Sequence, residues 1–195
     1  MKYTYTYTSP SKSTATKIKN HKVFEKEVTT YIQATSTKNA PEYNAILSDI
    51  KKLTNTLSVK ASASKIFKQE LTDIQKKKPL SEPTVWGGVT LKKVDVAKDF
   101  IQKLLIIKKY GVLGFEIHEK KHEHLKIVEG CCLVFWINHR GKPKTTITIQ
   151  IAGPKDEFTF EPKDEHGILT LTDCIIEETS TNHLDDLVYI FNAHL

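Results

Sequence analysis

Between residues 114 and 130 the chain reads GFEIHEKKHEHLKIVEG, three histidines and four glutamates set among lysines just ahead of an apolar run. Imidazoles and carboxylates are the side chains that ligate divalent metals and carry protons near neutral pH. What they can do together depends on which of them share a face. If the segment is a strand, Gly114, Glu116, His118 and Lys120 point one way, and Leu113, Phe115 and Ile117 point the other. A turn at Lys121–His122 would start a second strand with Glu123, Leu125 and Ile127 on a common face, so that His118 and Glu123 meet across a hairpin. The same alternation turns His124 away. A second stretch, EPKDEHGI at 161–168, offers His166 four residues after Pro162. The alternative reading is a charge-rich hairpin in water, with Glu116 pairing only with Lys120 and the histidines as ordinary polar residues of a barrel.

These residues need elements to hold them. After Pro83 short apolar runs recur: LLIIKKYGVLGFEIH, HLKIVEGCCLVFWI, TTITIQIAG, EFTFEP, HGILTLT, CIIEET and LVYIFNA. Turn signals such as NHRGKP, AGPKDE and PKDEHG separate them, which predicts an antiparallel sandwich or small barrel over residues 81–195. His139 and Arg140 fall in one such hairpin turn, Trp86 and Trp136 read as core anchors, and Asp164–Glu165 and Asp185–Asp186 read as solvated loop charges. Residues 21–80 have helical periodicity and form a helical extension. Tyr43, Ile46, Leu47, Ile50, Leu53 and Leu57 make one apolar stripe; Val59, Ala63, Ile66, Phe67, Leu71 and Ile74 make a second; Val23, Phe24, Val28 and Ile32 mark a shorter helix. Residues 1–20, rich in Thr, Ser, Lys and Tyr, are expected to be a flexible polar tail, with an added edge strand at YTYTYT as the alternative.

Composition narrows the classes. The 195 residues are 39% hydrophobic and 27% charged, which suits a soluble globular chain with room for a real core. No window approaches the roughly 18 consecutive apolar residues of a membrane helix, and the first residues lack the apolar centre of a secretory signal, so a cytoplasmic location is expected. Three cysteines without zinc-type spacing read as buried free thiols. Of the net charge of +6, residues 1–80 contribute +9 and residues 81–195 contribute −3. That basic part has no arginine and no base-stacking aromatic pattern, so its lysines read as solvated rather than as a nucleic-acid surface.

The motif stretches resemble the cupins, whose first motif is His-x-His, three or four residues to a glutamate, then a closing glycine. His118, Glu123 and Gly130 match the first histidine, the glutamate and the glycine; Pro162 and His166 match the second motif, a proline followed by a histidine. VWGG at 85–88 and the Asp185–Asp186–Leu187 sequence are similar, in order and spacing, to the C-terminal cupin domain of type II mannose-6-phosphate isomerases and the guanylyltransferase/isomerase enzymes. The likeness covers about 82–195. The family's second histidine is Lys120 here, and the arginine that usually follows the second-motif histidine is Gly167.

The resemblance implies a mainly β, cupin-type antiparallel jelly-roll barrel behind an N-terminal helical extension. It implies a divalent metal, Zn, Mn, Ni or Fe, on His118, Glu123 and His166, with His122 and His124 as candidates to supply a further ligand. A metal-free site is the alternative, since Lys120 stands where a histidine belongs. The implied reaction is aldose–ketose isomerisation of a hexose phosphate, mannose 6-phosphate to fructose 6-phosphate, with Glu116 as base and Lys120 as a fixed cation or phosphate holder. The competing reading is a cupin that has lost catalysis and serves as a sugar-binding or protein-interaction module. A homodimer formed through an exposed sheet is expected, with the helices either capping the barrel or joining that contact, and with no membrane or nucleic-acid partner.

Overall fold

The computed structural model describes residues 4–36, 48–49, 51–52, 54, 58–59, 63–137, 146–183 and 185–191. The six residues of the stripe from Tyr43 to Leu57, and His139 and Arg140, lie outside them. In chain order the elements are β1 (Thr4–Thr8), α1 (Lys12–Ala15), β2 (Ile18–Lys19), α2 (His21–Ser36), β3 (Ser58–Val59), α3 (Lys65–Gln75), β4 (Ser81–Thr84), β5 (Gly87–Asp95), β6 (Phe100–Ile107), β7 (Val112–His118), β8 (Glu123–Glu129), β9 (Cys132–Ile137), β10 (Thr146–Ala152), β11 (Glu157–Phe160), β12 (Glu165–Thr170), β13 (Cys174–Ser180) and β14 (Leu187–Phe191).

Two six-stranded sheets form the body, one ordered β1-β10-β9-β12-β7-β14 and the other β11-β8-β13-β6-β5-β4. From β6 onward the chain mostly crosses between sheets from one strand to the next, and every pairing is antiparallel except β1 on β10. This is the jelly-roll architecture expected for the region after Pro83.

The strands read as continuous apolar runs because both of their faces are covered. Leu105, Leu125, Ile127, Val134, Ile168 and Ile176 fill the space between the sheets. On β9 and β10 the alternate residues Leu133, Phe135, Ile147, Ile149 and Ile151 face outward, where α2 lays Phe24 and Val28 on them, one turn apart on a single helix face. On the second sheet, Ile106 and Ile175 meet Phe67 and Ile74 of α3, whose N-cap Ser64 accepts a hydrogen bond from the Phe67 amide at 3.0 Å. Val23 and Ile66, which the periodicity placed on apolar stripes, are instead 49% and 63% exposed. Helices of the same chain thus cap an outer face of each sheet. No helix among the described residues is long and apolar enough to cross a membrane.

The expectation of a flexible tail is corrected over Thr4–Thr8. This Tyr-Thr segment adds β1 to the edge of a sheet in parallel register with Thr146–Gln150, and Tyr7 packs edge-on against Phe24 with ring centroids 6.2 Å apart. The cause is tertiary: a polar strand that packs Tyr7 on Phe24 gains ladder hydrogen bonds because β10 offers an open edge. Cys131, Cys132 and Cys174 are free and buried, and burial pushes the Cys131 thiol up to about 12, keeping it protonated.

Candidate metal centre

The strand β7 carries the first half of the site, with a shift of register that alternation alone does not foresee. Gly114 and Phe115 stand opposite the single residue Gly167 of β12, between the pairs Leu113–Ile168 and Glu116–His166. This bulge flips the facing, so Leu113, Glu116 and His118 line one cavity while Phe115 joins the outer core under α2. Leu113 was expected on the opposite face. At Gly167, where the resemblance implies an arginine, a Cβ would lie 3.0 Å from the Gly114 carbonyl oxygen and 3.3 Å from the Phe115 ring, so a side chain there requires a small shift of its neighbours.

β7 ends at His118, and the chain turns through residues 119–122 before β8 begins at Glu123. The turn is tied to the far end of the chain: Asp186 Oδ2 accepts the amides of Lys120 at 2.6 Å and Lys121 at 2.9 Å. Asp186 is therefore a structural brace rather than a solvated loop charge. At the other end of β8, Gly130 takes φ +85 beneath the Asp173 carbonyl, where a Cβ would sit 2.2 Å from that oxygen; glycine is required.

Glu116, His118, Glu123 and His166 converge so that one ligand atom from each lies within 4.8 Å of the others. His166 Nε2 is 3.0 Å from Glu123 Oε2 and 3.4 Å from Glu116 Oε1; His118 Nε2 is 3.5 Å from Glu123 Oε1 and 3.8 Å from Glu116 Oε1. Such spacings suit four ligands around an ion with bonds of about 2.0–2.2 Å. His118 Nδ1 donates to the Asp186 carbonyl at 2.7 Å, which fixes the ring and leaves Nε2 bare toward the cluster. That Nε2 and Glu123 Oε2 are buried without a hydrogen-bond partner among the described residues; the His166 contact is close but closes no hydrogen bond. The His166 ring stacks on Phe160, centroids 4.0 Å apart and 4° from parallel, which holds its edge toward the carboxylates.

The donor set fits a divalent cation. Two imidazoles and two carboxylates without thiolate suit Mn, Fe, Ni or Zn. Glu116 reaches the same point as the three expected ligands, His118, Glu123 and His166. Glu116-x-His118, four residues, then Glu123 keeps the motif spacing, with glutamate in place of the first histidine. Lys120 is exposed and stands outside the cluster. His122 and His124 also stand outside, 56% and 40% exposed, pairing with Glu161 at 2.8 Å and Glu157 at 3.4 Å.

The neighbour of Lys120 is the residue that sequence reasoning missed. Lys121 is 4% exposed, contacts Glu123 Oε1, and donates to Glu178 Oε1 at 2.8 Å; Lys103 meets the same Glu178 oxygen at 2.9 Å. Burial pulls the Lys121 ammonium down, but Glu178 and Glu123 outweigh it and hold it above the usual lysine range, so it stays charged. Burial pushes the Glu123 carboxyl up, and His166, Lys121 and His118 overcome that and hold it well below its ordinary range. The only available signal was the spacing of Ile176, Glu178 and Ser180 on alternate positions of β13 behind an apolar run.

A cavity of about 570 Å³ opens over this floor, with Glu116, His118, Lys121, Glu123 and Glu178 below and Trp86, Val89, Leu105 and Leu113 among the walls. Trp86, expected as a core anchor, lies at the cavity wall while still packing on the inner core.

No family model and no curated protein matches the chain. Parts of the chain are similar to solved structures: KdgF from a Halomonas species, 18% identical over 51% of this chain and 81% of that one, TM-score 0.41; Lactobacillus farciminis oxalate decarboxylase, 15% identical over 56% of this chain and 33% of that one, TM-score 0.47; and the capsular polysaccharide assembling protein CapF of Staphylococcus aureus, 15% identical over 58% and 32%, TM-score 0.45. The sheet topology by itself is that of an antiparallel jelly roll. The chain spans about a third of the length of the last two proteins, and the likeness extends to architecture alone.

Proposed function

We propose that the protein is a metal-dependent cupin enzyme that moves a proton along a sugar, an aldose–ketose isomerase of the kind the mannose-6-phosphate isomerase resemblance implies. The observation that carries this reading is the meeting of Glu116, His118, Glu123 and His166, the first three of which line the cavity, with His118 Nε2 buried and unpartnered among the described residues. His118, Glu123 and His166 would hold the metal. Bound there, a divalent cation supplies Lewis-acid polarisation of the substrate oxygens and charge stabilisation for an enediolate.

The chain's own groups account for the rest of the step. Burial raises the Glu116 pKa, while His118 and His166 lower it further than that, so at neutral pH it is a carboxylate able to accept a proton. It lines the cavity and is our candidate to carry the proton between C1 and C2. The fixed positive charge assigned from sequence to Lys120 falls instead to Lys121, which Glu123 and Glu178 hold in its ammonium form beside the reacting region.

Metal-loaded protein incubated with an aldose in deuterium oxide is expected to yield ketose carrying solvent deuterium, read by NMR. Glu116→Gln is expected to keep its metal and lose at least about 100-fold in rate, the usual size of a general-base contribution. Loaded protein that neither converts nor exchanges any aldose or aldose phosphate would refute the enzyme and favour a sugar-binding module.

A further inference from the structure

The cavity says more about its ligand than the metal cluster does. Four glutamates line it, Glu82, Glu116, Glu123 and Glu178, against two lysines, Lys103 and Lys121. Both lysines are spent within the protein: their ammonium groups stand 2.9 and 2.8 Å from one oxygen of Glu178, and Lys121 also contacts Glu123. Their side chains are only 16% and 4% exposed, so neither swings out to meet a ligand. Phosphate esters are recognised by free cations, by forks of arginine, or by backbone amides at a helix start. Among the described lining residues there is none of these; all come from strands or from turns between strands. What the walls do offer suits hydroxyl groups. The Thr84 hydroxyl is buried without a protein partner, the Glu82 carboxylate at the rim accepts O–H donors, and the Trp86 ring presents an apolar surface on which the C–H face of a sugar lies.

We infer that the substrate of this site is a neutral, unphosphorylated sugar, because every cation lining the cavity is already paired with a carboxylate of the same cavity. This rests on the proposed sugar chemistry and narrows it from a hexose phosphate to a free polyhydroxy aldehyde or ketone. The metal end of the cavity holds the reacting oxygens, and the opposite end meets hydroxyls.

Isothermal titration calorimetry on the full-length, Mn-loaded protein tests this, with mannose, glucose and fructose and the 6-phosphate of each as probes. At least one free sugar is expected to bind about tenfold or more tighter than its own 6-phosphate, the scale of an uncompensated charge facing carboxylates in a partly buried site. Glu82→Lys, an exposed rim substitution, is expected to shift that preference toward the phosphate about fivefold or more without altering metal content. A 6-phosphate that binds tighter than its free sugar overturns the inference while leaving the isomerase reading intact. An unchanged preference in the Glu82→Lys protein removes its electrostatic basis. If no sugar and no sugar phosphate binds a protein that does load metal, the isomerase reading itself fails and this inference with it.

Discussion

His118 and His166 sit nearly fifty positions apart in sequence, yet their ring centroids are 6.1 Å apart and both rings face the same two carboxylates. In the metal-free protein those carboxylates change the titration of His166. Burial pulls its pKa down, and Glu116 and Glu123 more than reverse that, lifting it from 6.5 to about 10. A folded-state pKa above the unfolded one stabilises fully below the unfolded value and is lost as pH climbs through the folded value. Metal-free protein is therefore expected to lose stability between about pH 6.5 and pH 10, read as a falling urea midpoint; the loaded site, holding no proton there, should show a flatter profile. Lys121 makes a separate prediction. Lys121→Met removes the ammonium between two buried carboxylates, leaving Glu178 to Lys103 and Glu123 to the histidines, and is expected to cost about 3 kcal/mol in urea unfolding, whereas Lys120→Ala next to it should stay within about 0.5 kcal/mol. Equal effects from the two would contradict the division of roles between these neighbours. That division was not legible in sequence, because strict alternation carried past His118 picks Lys120, and only the Asp186 tie on the turn brings Lys121 inward.

At the scale of elements, what could be read depended on where the apolar signal lay. β6 through β13 announce themselves as short apolar runs because helices or the opposite sheet cover them. β4 and the outer half of β5 do not: SEPT and LKKVD are edge segments whose outward residues stay in water, and Pro83 is tolerated because β4 lies at a sheet edge. The bulge opposite Gly167 was invisible for a different reason, since a two-against-one pairing is a property of two strands and neither sequence alone records it. Its facing shift is what brings Leu113 to the cavity beside Glu116. Helix α2 is the testable case of outer-face packing. Phe24 is fully buried on β9 and β10, so Phe24→Ala is expected to destabilise the protein by about 3–5 kcal/mol, measured by urea denaturation, with metal content unchanged. A change below about 1 kcal/mol would mean that α2 rests on the sheet without contributing to it.

For the whole molecule, the jelly roll was legible after Pro83, while the service of the first eighty residues was not. Their helices and one strand complete the barrel's exterior: β1 covers the β10 edge, α2 covers one sheet and α3 the other. A protein starting at residue 37 would bare Leu133, Phe135, Ile147, Ile149 and Ile151 together, a large contiguous apolar surface. Such a truncation is expected to form larger assemblies in light scattering than the 195-residue chain does; a truncated protein of unchanged size and stability would show that the extension is an appendage.

At the scale of the site, His118, Glu123 and His166, from three strands, are expected to hold one metal ion beside Glu116. Anomalous X-ray diffraction from crystals grown with Mn or Zn tests it most directly. The account predicts a single strong peak among His118 Nε2, His166 Nε2 and the carboxylates of Glu116 and Glu123, absent in the His118→Ala, His166→Ala double variant. A cluster without a peak, or a peak that survives in the double variant, would contradict it.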